Sequence, residues 1–165
     1  MKKEYEMNEE ELTALYDEVM THHKQAKTAF AEAQTEEDRS AARKAYPNYQ
    51  RGHMPRTPAR KAFEQLKRQT LAYTDELNNK TIEQFEHVLL YSPDGPEYCY
   101  HLANYRQTRW PEAEFTIGKS AWWSYVYAKY VLKGRFPAGE SQISASPKYA
   151  ERYERMLGNV DNGGV

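Results

Sequence analysis

Arg109-Trp110-Pro111-Glu112-Ala113-Glu114 returns 26 residues later as Arg135-Phe136-Pro137-Ala138-Gly139-Glu140. The register continues downstream: Ile117 falls on Ile143, Ser120 on Ser146, Trp123 on Tyr149, Tyr127 on Tyr153 and Val131 on Leu157. A period of this size marks stacked supersecondary units, each too small to bury its own apolar face. Pro111 or Pro137 opens a short helix where its missing N–H costs nothing, and Glu in the first turn suits the helix dipole. Gly118 is expected to end that helix in a left-handed cap. Ser120 or Ser146 caps a second helix of about 13 residues, ~20 Å long. Its inward residues, Tyr127 and Val131 or Tyr153 and Leu157, lie four apart on one face. Gly134 and Gly158 sit where glycine caps are expected.

Working outward, an earlier copy appears if two residues are inserted near Asp94-Gly95. Glu86, Leu89, Ser92 and Pro93 then match Glu114, Ile117, Ser120 and Ala121, and His101 and Tyr105 match Tyr127 and Val131. Asp94-Gly95-Pro96 is where a bend in the array is expected. Tyr73 and Leu77 form a fainter half-copy. The last unit, Glu151-Arg152-Tyr153-Glu154-Arg155, is the most polar, as a capping unit facing water should be. Residues 158–165 read as a frayed tail.

Trp110-Pro111-Glu112-Ala113-Glu114, Ile117 and the run Tyr125-Val126-Tyr127-Ala128-Lys129-Tyr130-Val131-Leu132-Lys133-Gly134-Arg135-Phe136-Pro137 form the pattern W-P-E-x-E-x-x-I … Y-x-Y-A-x-x-V-x-K-x-R-F-P. This pattern resembles a short helical repeat that recurs in uncharacterised proteins of tailed bacteriophages. The resemblance covers roughly residues 84–157. It implies an all-α architecture and a phage origin, and it carries no catalytic residues. Residues 1–70 lie outside it.

The N-terminal part also reads as helical. Asn8 with Glu11 forms a capping box ahead of Leu12, Leu15, Tyr16, Val19, His23, Ala26 and Phe30 at helical spacing. Thr35 with Asp38 opens a second, Ala-rich helix to about Ala45, stopped by Pro47. Residues 47–58 hold Pro47, Gly52, Pro55 and Pro58 and read as an ordered loop or a flexible linker. Thr57-Pro58 starts a third helix, carried by Phe63, Leu66, Leu71 (out of strict phase), Tyr73 and Leu77 to Asn78-Asn79. No segment alternates as a strand does. The expectation is an all-α protein in three parts. Residues 1–80 form an N-terminal helical hairpin or bundle, 81–158 a short array of stacked two-helix repeats, and 159–165 a flexible tail.

Composition fits stacked helices glued by aromatic rings. Of 165 residues, Ile, Leu, Val and Phe together number 24, while Tyr numbers 14 and Trp 3. So few aliphatics would suggest disorder at high net charge, but the formal net charge is -1. Fifteen aromatics lie between Phe85 and Tyr153, at positions that recur with the repeat. A single cysteine excludes an internal disulfide framework. No apolar run approaches the ~20 residues of a membrane span. The first residues lack a signal-peptide pattern, so no membrane association and a cytoplasmic location are expected, the bacterial host's cytoplasm if the origin is phage.

The chemistry search yields no catalytic residue, no metal set and no cofactor. Cys99 and His101 lie two apart, His22 and His23 are adjacent, and Glu83 precedes His87 by four. None supplies the three or four spaced ligands of a metal site. Cys99 and His101 occupy repeat positions held by Tyr125 and Tyr127, which explains them as packing residues. Glu112 and Glu114 are accounted for by the helix dipole.

Two binding surfaces remain. Residues 1–38 carry net -7, residues 39–68 net +8 and the remainder net -2. The basic block either neutralises the acidic first helix or offers Arg43, Lys44, Arg51, Arg56, Arg60, Lys61, Lys67 and Arg68 to an acidic partner or nucleic acid. In the repeat half, Trp122 aligns with Lys148. It therefore either faces solvent as a protein-binding hot spot beside Tyr125, Tyr130, Lys129 and Lys133, or packs against the N-terminal helices. Base stacking is opposed by Glu112, Glu114 and the net charge of that half. The leading expectation is a non-enzymatic interaction protein of phage type. It binds and inhibits or redirects a host protein or complex, in host defence or nucleic-acid processing. The alternative is nucleic-acid binding through residues 43–68, and self-association is a third option.

Overall fold

The computed structural model describes residues 2–72 and 77–161. Among these the only regular secondary structure is helix, with no strand. A 3-10 turn, Glu4–Glu6, leads into α1 (Glu9–Glu32) and α2 (Glu36–Ala45). Then come α3 (Pro58–Ala72), α4 (Asn79–Tyr91), α5 (Gly95–Arg106), α6 (Pro111–Ile117), α7 (Ala121–Tyr127), α8 (Pro137–Ser144) and α9 (Pro147–Asp161). A π-helical turn, Ala128–Leu132, prolongs α7.

The helix starts follow the capping chemistry of the sequence. The Asn8 and Thr35 side chains accept from the backbone N–H of Glu11 and Asp38, whose carboxylates bond back to the cap N–H groups. Thr57 accepts from the Arg60 N–H at the start of α3, and its hydroxyl donates to the Asp94 carboxylate at 2.5 Å, tying α3 to the start of α5. Burial raises the Asp94 carboxyl pKa above its usual range.

Leu12 and Ala26 are the buried residues of α1, and α2 packs on α1. The second half of α1 is covered by aromatic contacts: His22 on Tyr46, and His23 and Phe30 on Tyr49. The main core lies among α3 to α9. It runs from Ala59, Ala62 and Leu66 through Val88, Leu89, Leu102 and Ala103 to Trp110, Ile117, Tyr127, Phe136, Ile143 and Tyr153. One apolar cluster thus crosses residue 80, where the sequence suggested a boundary, because α3 lies against both α4 and α5.

Inside this core, one arrangement of hydrogen bonds occurs twice. The Arg109 guanidinium grips both carboxylate oxygens of Glu114, at 2.6 and 3.0 Å. The Tyr127 hydroxyl accepts from the Trp110 N–H at 3.0 Å and donates to Glu114 at 3.3 Å. Shifted by 26 residues, Arg135 grips Glu140 at 3.0 and 3.2 Å, while Tyr153 accepts from the Phe136 N–H at 2.7 Å and donates to Glu140 at 3.0 Å. The cap backbones agree as well: φ -122, ψ 86 at Trp110 and φ -126, ψ 81 at Phe136. Pro leaves α6 and α8 without one N–H donor, and the tyrosine satisfies the cap N–H just before it. This clasp lets phenol rings sit in a core without stranding their hydroxyls.

Several local expectations are corrected. Gly118 does not adopt a left-handed cap, having φ -60 and ψ -15. It is glycine because a Cβ there would stand 2.6 Å from the Ala138 carbonyl oxygen of α8. Among the described residues, the left-handed positions that are not glycine are Gln107 and Lys133, again 26 apart, at φ 51 and 52. Gly134 accordingly keeps a negative φ, and Gly158 lies inside α9, which continues through residues 159–161 instead of fraying there. The helix expected to run to Asn78-Asn79 ends earlier. Leu77 is non-helical and Asn78 caps α4, its side chain accepting from the Thr81 N–H. Tyr73 lies outside the described residues, as do 162–165 of the expected tail. In the 47–58 segment, Gly52 has φ 81 within a turn closed by the His53 N–H on the Gln50 carbonyl.

Candidate functional site

The helices bring aromatic rings from four elements into one continuous strip. Phe63 on α3 meets Tyr98, His101 and Tyr105, which recur along one face of α5, at 5.2, 6.1 and 6.1 Å between centroids. Across the α5–α7 contact, Trp123 stacks on Tyr100 at 5.4 Å and meets His101 edge-on at 5.2 Å. Trp122 continues the strip to Tyr149 on α9 at 5.5 Å, beneath which Tyr125 stacks on Tyr149 at 6.2 Å. The strip is half-buried, and its exposed members are Trp122 at 38% and Tyr105 at 38%; neighbouring Tyr130 is 50% exposed.

Lysines lie over these rings. Lys67 sits 4.6 Å from the Tyr105 centroid, Lys129 5.0 Å from Tyr130 and 5.9 Å from Tyr125, and Lys148 5.4 Å from Tyr149. Such placement covers the apolar stem while the ammonium meets the negative ring face. The Tyr130 hydroxyl beside Lys129 raises the ammonium pKa above its ordinary value. Burial, aided by Lys67, lowers the His101 pKa, so the imidazole is neutral at neutral pH. Burial also pushes the Tyr98 hydroxyl up to about 12.

Of the predicted partner-binding residues, Trp122, Tyr130, Lys129 and Lys133 are exposed. Tyr125 is not: it is 8% exposed and serves as the floor beneath Trp122 and Tyr149, because it points along the inward face of α7. Trp122 packs on Trp123, Tyr125 and Tyr149 rather than on the N-terminal helices. The π turn widens the helix where Lys129 and Tyr130 lie, and both project outward. Sequence reasoning missed the contributions of Phe63, Tyr105, Lys67 and Lys148 to this surface. Lys148, as the solvent-facing repeat partner of Trp122, was the available signal.

The basic segment is divided among several places. Arg43 pairs with Glu36 on α2; Arg56 and Arg60 share Glu64 on α3; Lys61 reaches Glu4. Lys67 belongs to the aromatic strip. Lys44, Arg51 and Arg68 are exposed, with no ion pair among the described residues. The acidic residues of α1 look elsewhere, with Glu9 paired to Lys119 and Glu11 to Lys2.

Cys99 is fully buried, which pushes its thiol pKa up and keeps it protonated. The His87 ring nitrogen lies 2.8 Å from the Met7 carbonyl. Among the described residues, no group of three or more His, Cys, Asp or Glu is placed to hold a metal ion, and no helix is long and apolar enough to cross a membrane. Compared with known proteins, the chain matches no family model, and no curated protein or solved structure is significantly similar to it.

Proposed function

We propose that this is a small helical-repeat interaction protein that binds a partner protein through the aromatic strip of α5, α7 and α9. The observation that carries the reading is a large indole, Trp122, left partly open on a bed of packed rings. Aromatic anchors on a rigid floor are the usual centres of protein–protein binding energy. The reading of residues 81–158 as stacked two-helix units is supported by the twofold recurrence of the Arg–Glu–Tyr clasp at an offset of 26 residues. Repeat arrays bind through extended surfaces. The motif resemblance adds the proposal that the protein is of phage type and that its partner is a bacterial host protein, inhibited or redirected on binding.

The test is affinity capture from bacterial lysate with wild-type protein and with Trp122→Ala/Tyr130→Ala. Wild-type bait is expected to retain a stoichiometric protein that the double variant loses, while circular dichroism shows the variant folded. A wild-type bait that retains no stoichiometric protein defeats the proposal.

A further inference from the structure

We infer that the partner segment received by the aromatic strip is acidic: a protein segment rich in aspartate and glutamate. This rests on the reading of the strip as the binding face, and adds to it the chemistry of the occupant.

Among the described residues, Lys67, Lys129, Lys133 and Lys148 have no carboxylate within salt-bridge distance; the lysines that do pair are Lys2, Lys61 and Lys119. Three of the four lie on rings of the strip or on adjoining Tyr130. Carboxylates lie beside the strip near its α3 and α5 end, where Glu97 is 4.0 Å from His101 and Glu97, Asp94 and Glu64 act on the Tyr98 hydroxyl. Glu114 is held by Arg109 and Tyr127 inside the clasp.

The rings point the same way. They lean on one another and on ammonium groups, so much of their negative face area is already engaged. Their edges carry the positive end of the ring quadrupole. Of the groups the strip offers a partner, the Lys67, Lys129 and Lys148 ammoniums over their rings attract carboxylates. A nucleobase stacking on Tyr105, Tyr130 or Tyr149 would compete with the lysine that lies over that ring. These observations favour an acidic protein segment over a single-stranded nucleic acid.

The experiment titrates the full-length protein against a fluorescently labelled random copolymer of glutamate and tyrosine, followed by anisotropy. A lysine–tyrosine copolymer and an oligothymidylate run in parallel. The acidic copolymer is expected to bind, with affinity that falls as salt is added, and the basic one not to bind. Lys129→Glu/Lys148→Glu should weaken binding at least about tenfold. Lys129→Gln/Lys148→Gln, a milder pair for the case in which charge reversal unfolds the protein, should weaken it about threefold or more. Absence of binding by the acidic copolymer overturns the proposal. So does equal binding of the basic copolymer, tighter binding of oligothymidylate, or affinity unchanged by the glutamine pair. If the lysate partner is lost with Trp122→Ala but kept with the lysine substitutions, the strip remains a binding face and the acidic occupant is rejected.

Discussion

The two clasps, Arg109 to Tyr127 and Arg135 to Tyr153, use the same atoms to make the same bonds, yet they are filled differently. Trp110 becomes Phe136, Trp123 becomes Tyr149 and Ala113 becomes Gly139. Proline, glutamate and tyrosine stay, because each supplies a fixed φ, an acceptor or a hydroxyl that the cap geometry uses, and arginine stays as the exposed partner of the glutamate. The ring at the cap position needs only to fill space. Gly139 shows a tighter constraint. A Cβ there would stand 2.5 Å from both the Phe136 ring and Ser124, whereas Ala113 is accommodated fully buried. The lesson is that hydrogen-bond geometry defines the unit and local packing edits it.

The strongest way to break this comparison is to empty the first clasp. Trp110→Ala or Tyr127→Ala is expected to cost ~3–5 kcal/mol, read as loss of the cooperative melt or a large fall in urea midpoint. A melt unchanged by both would show that the clasp does not hold the core.

Removing only the hydroxyl is a finer cut. Tyr127→Phe leaves the Trp110 N–H without its acceptor and should cost about 1–3 kcal/mol. Tyr153→Phe should cost less, because α9 is the last described element and can open locally. Equal losses would mean that the second clasp is as tightly coupled to the core as the first. The same variants carry a pH signature. Burial raises the Tyr127 hydroxyl to about 12, above its ordinary 10.0. As pH climbs through that interval the unfolded chain loses its proton first, so stability present at pH 10 is lost towards pH 12. Denaturant midpoints of the wild type should fall over that range, and those of Tyr127→Phe should fall less.

Gly139→Ala tests the packing edit, with an expected cost of about 1–3 kcal/mol from overpacking. The opposite exchange, Ala113→Gly, should cost only roughly 0.5–1 kcal/mol. A neutral Gly139→Ala would show that α8 can shift away from Ser124 freely. The smallest effects belong to the arginines. Arg109→Ala and Arg135→Ala remove solvent-exposed guanidiniums, and exposed ion pairs contribute little. Melting temperatures should barely move, while a large fall would make the arginine a structural keystone of the clasp.

Much of the fold was legible in the sequence. The caps at Asn8 and Thr35, the proline starts of α3, α6 and α8 and the inward stripe of α1 all depend on neighbours within a few positions. The left-handed residues were not legible. Glycine propensity pointed to Gly118, Gly134 and Gly158, but tertiary contact reserved Gly118 for a close approach by α8 and left the turns to Gln107 and Lys133. The site was half legible. The alignment of Trp122 with Lys148 offered solvent exposure as one of two readings, and the structure leaves the indole 38% exposed. The burial of Tyr125 and the recruitment of Lys67 and Phe63 required knowing how α3, α5, α7 and α9 pack.

The sequence by itself determined that the chain is helical, that aromatic rings replace aliphatic bulk, and where its 26-residue pattern repeats. These follow from spacing and composition, which act locally. Only the tertiary structure decided that tyrosine hydroxyls close two helix caps from 17 residues away. It also decided that the basic block meets the acidic one at Glu4 and Glu36 rather than along α1, and that lysines distant in sequence meet one aromatic surface. Those outcomes depend on which helix faces come together, and packing sets that over the whole chain.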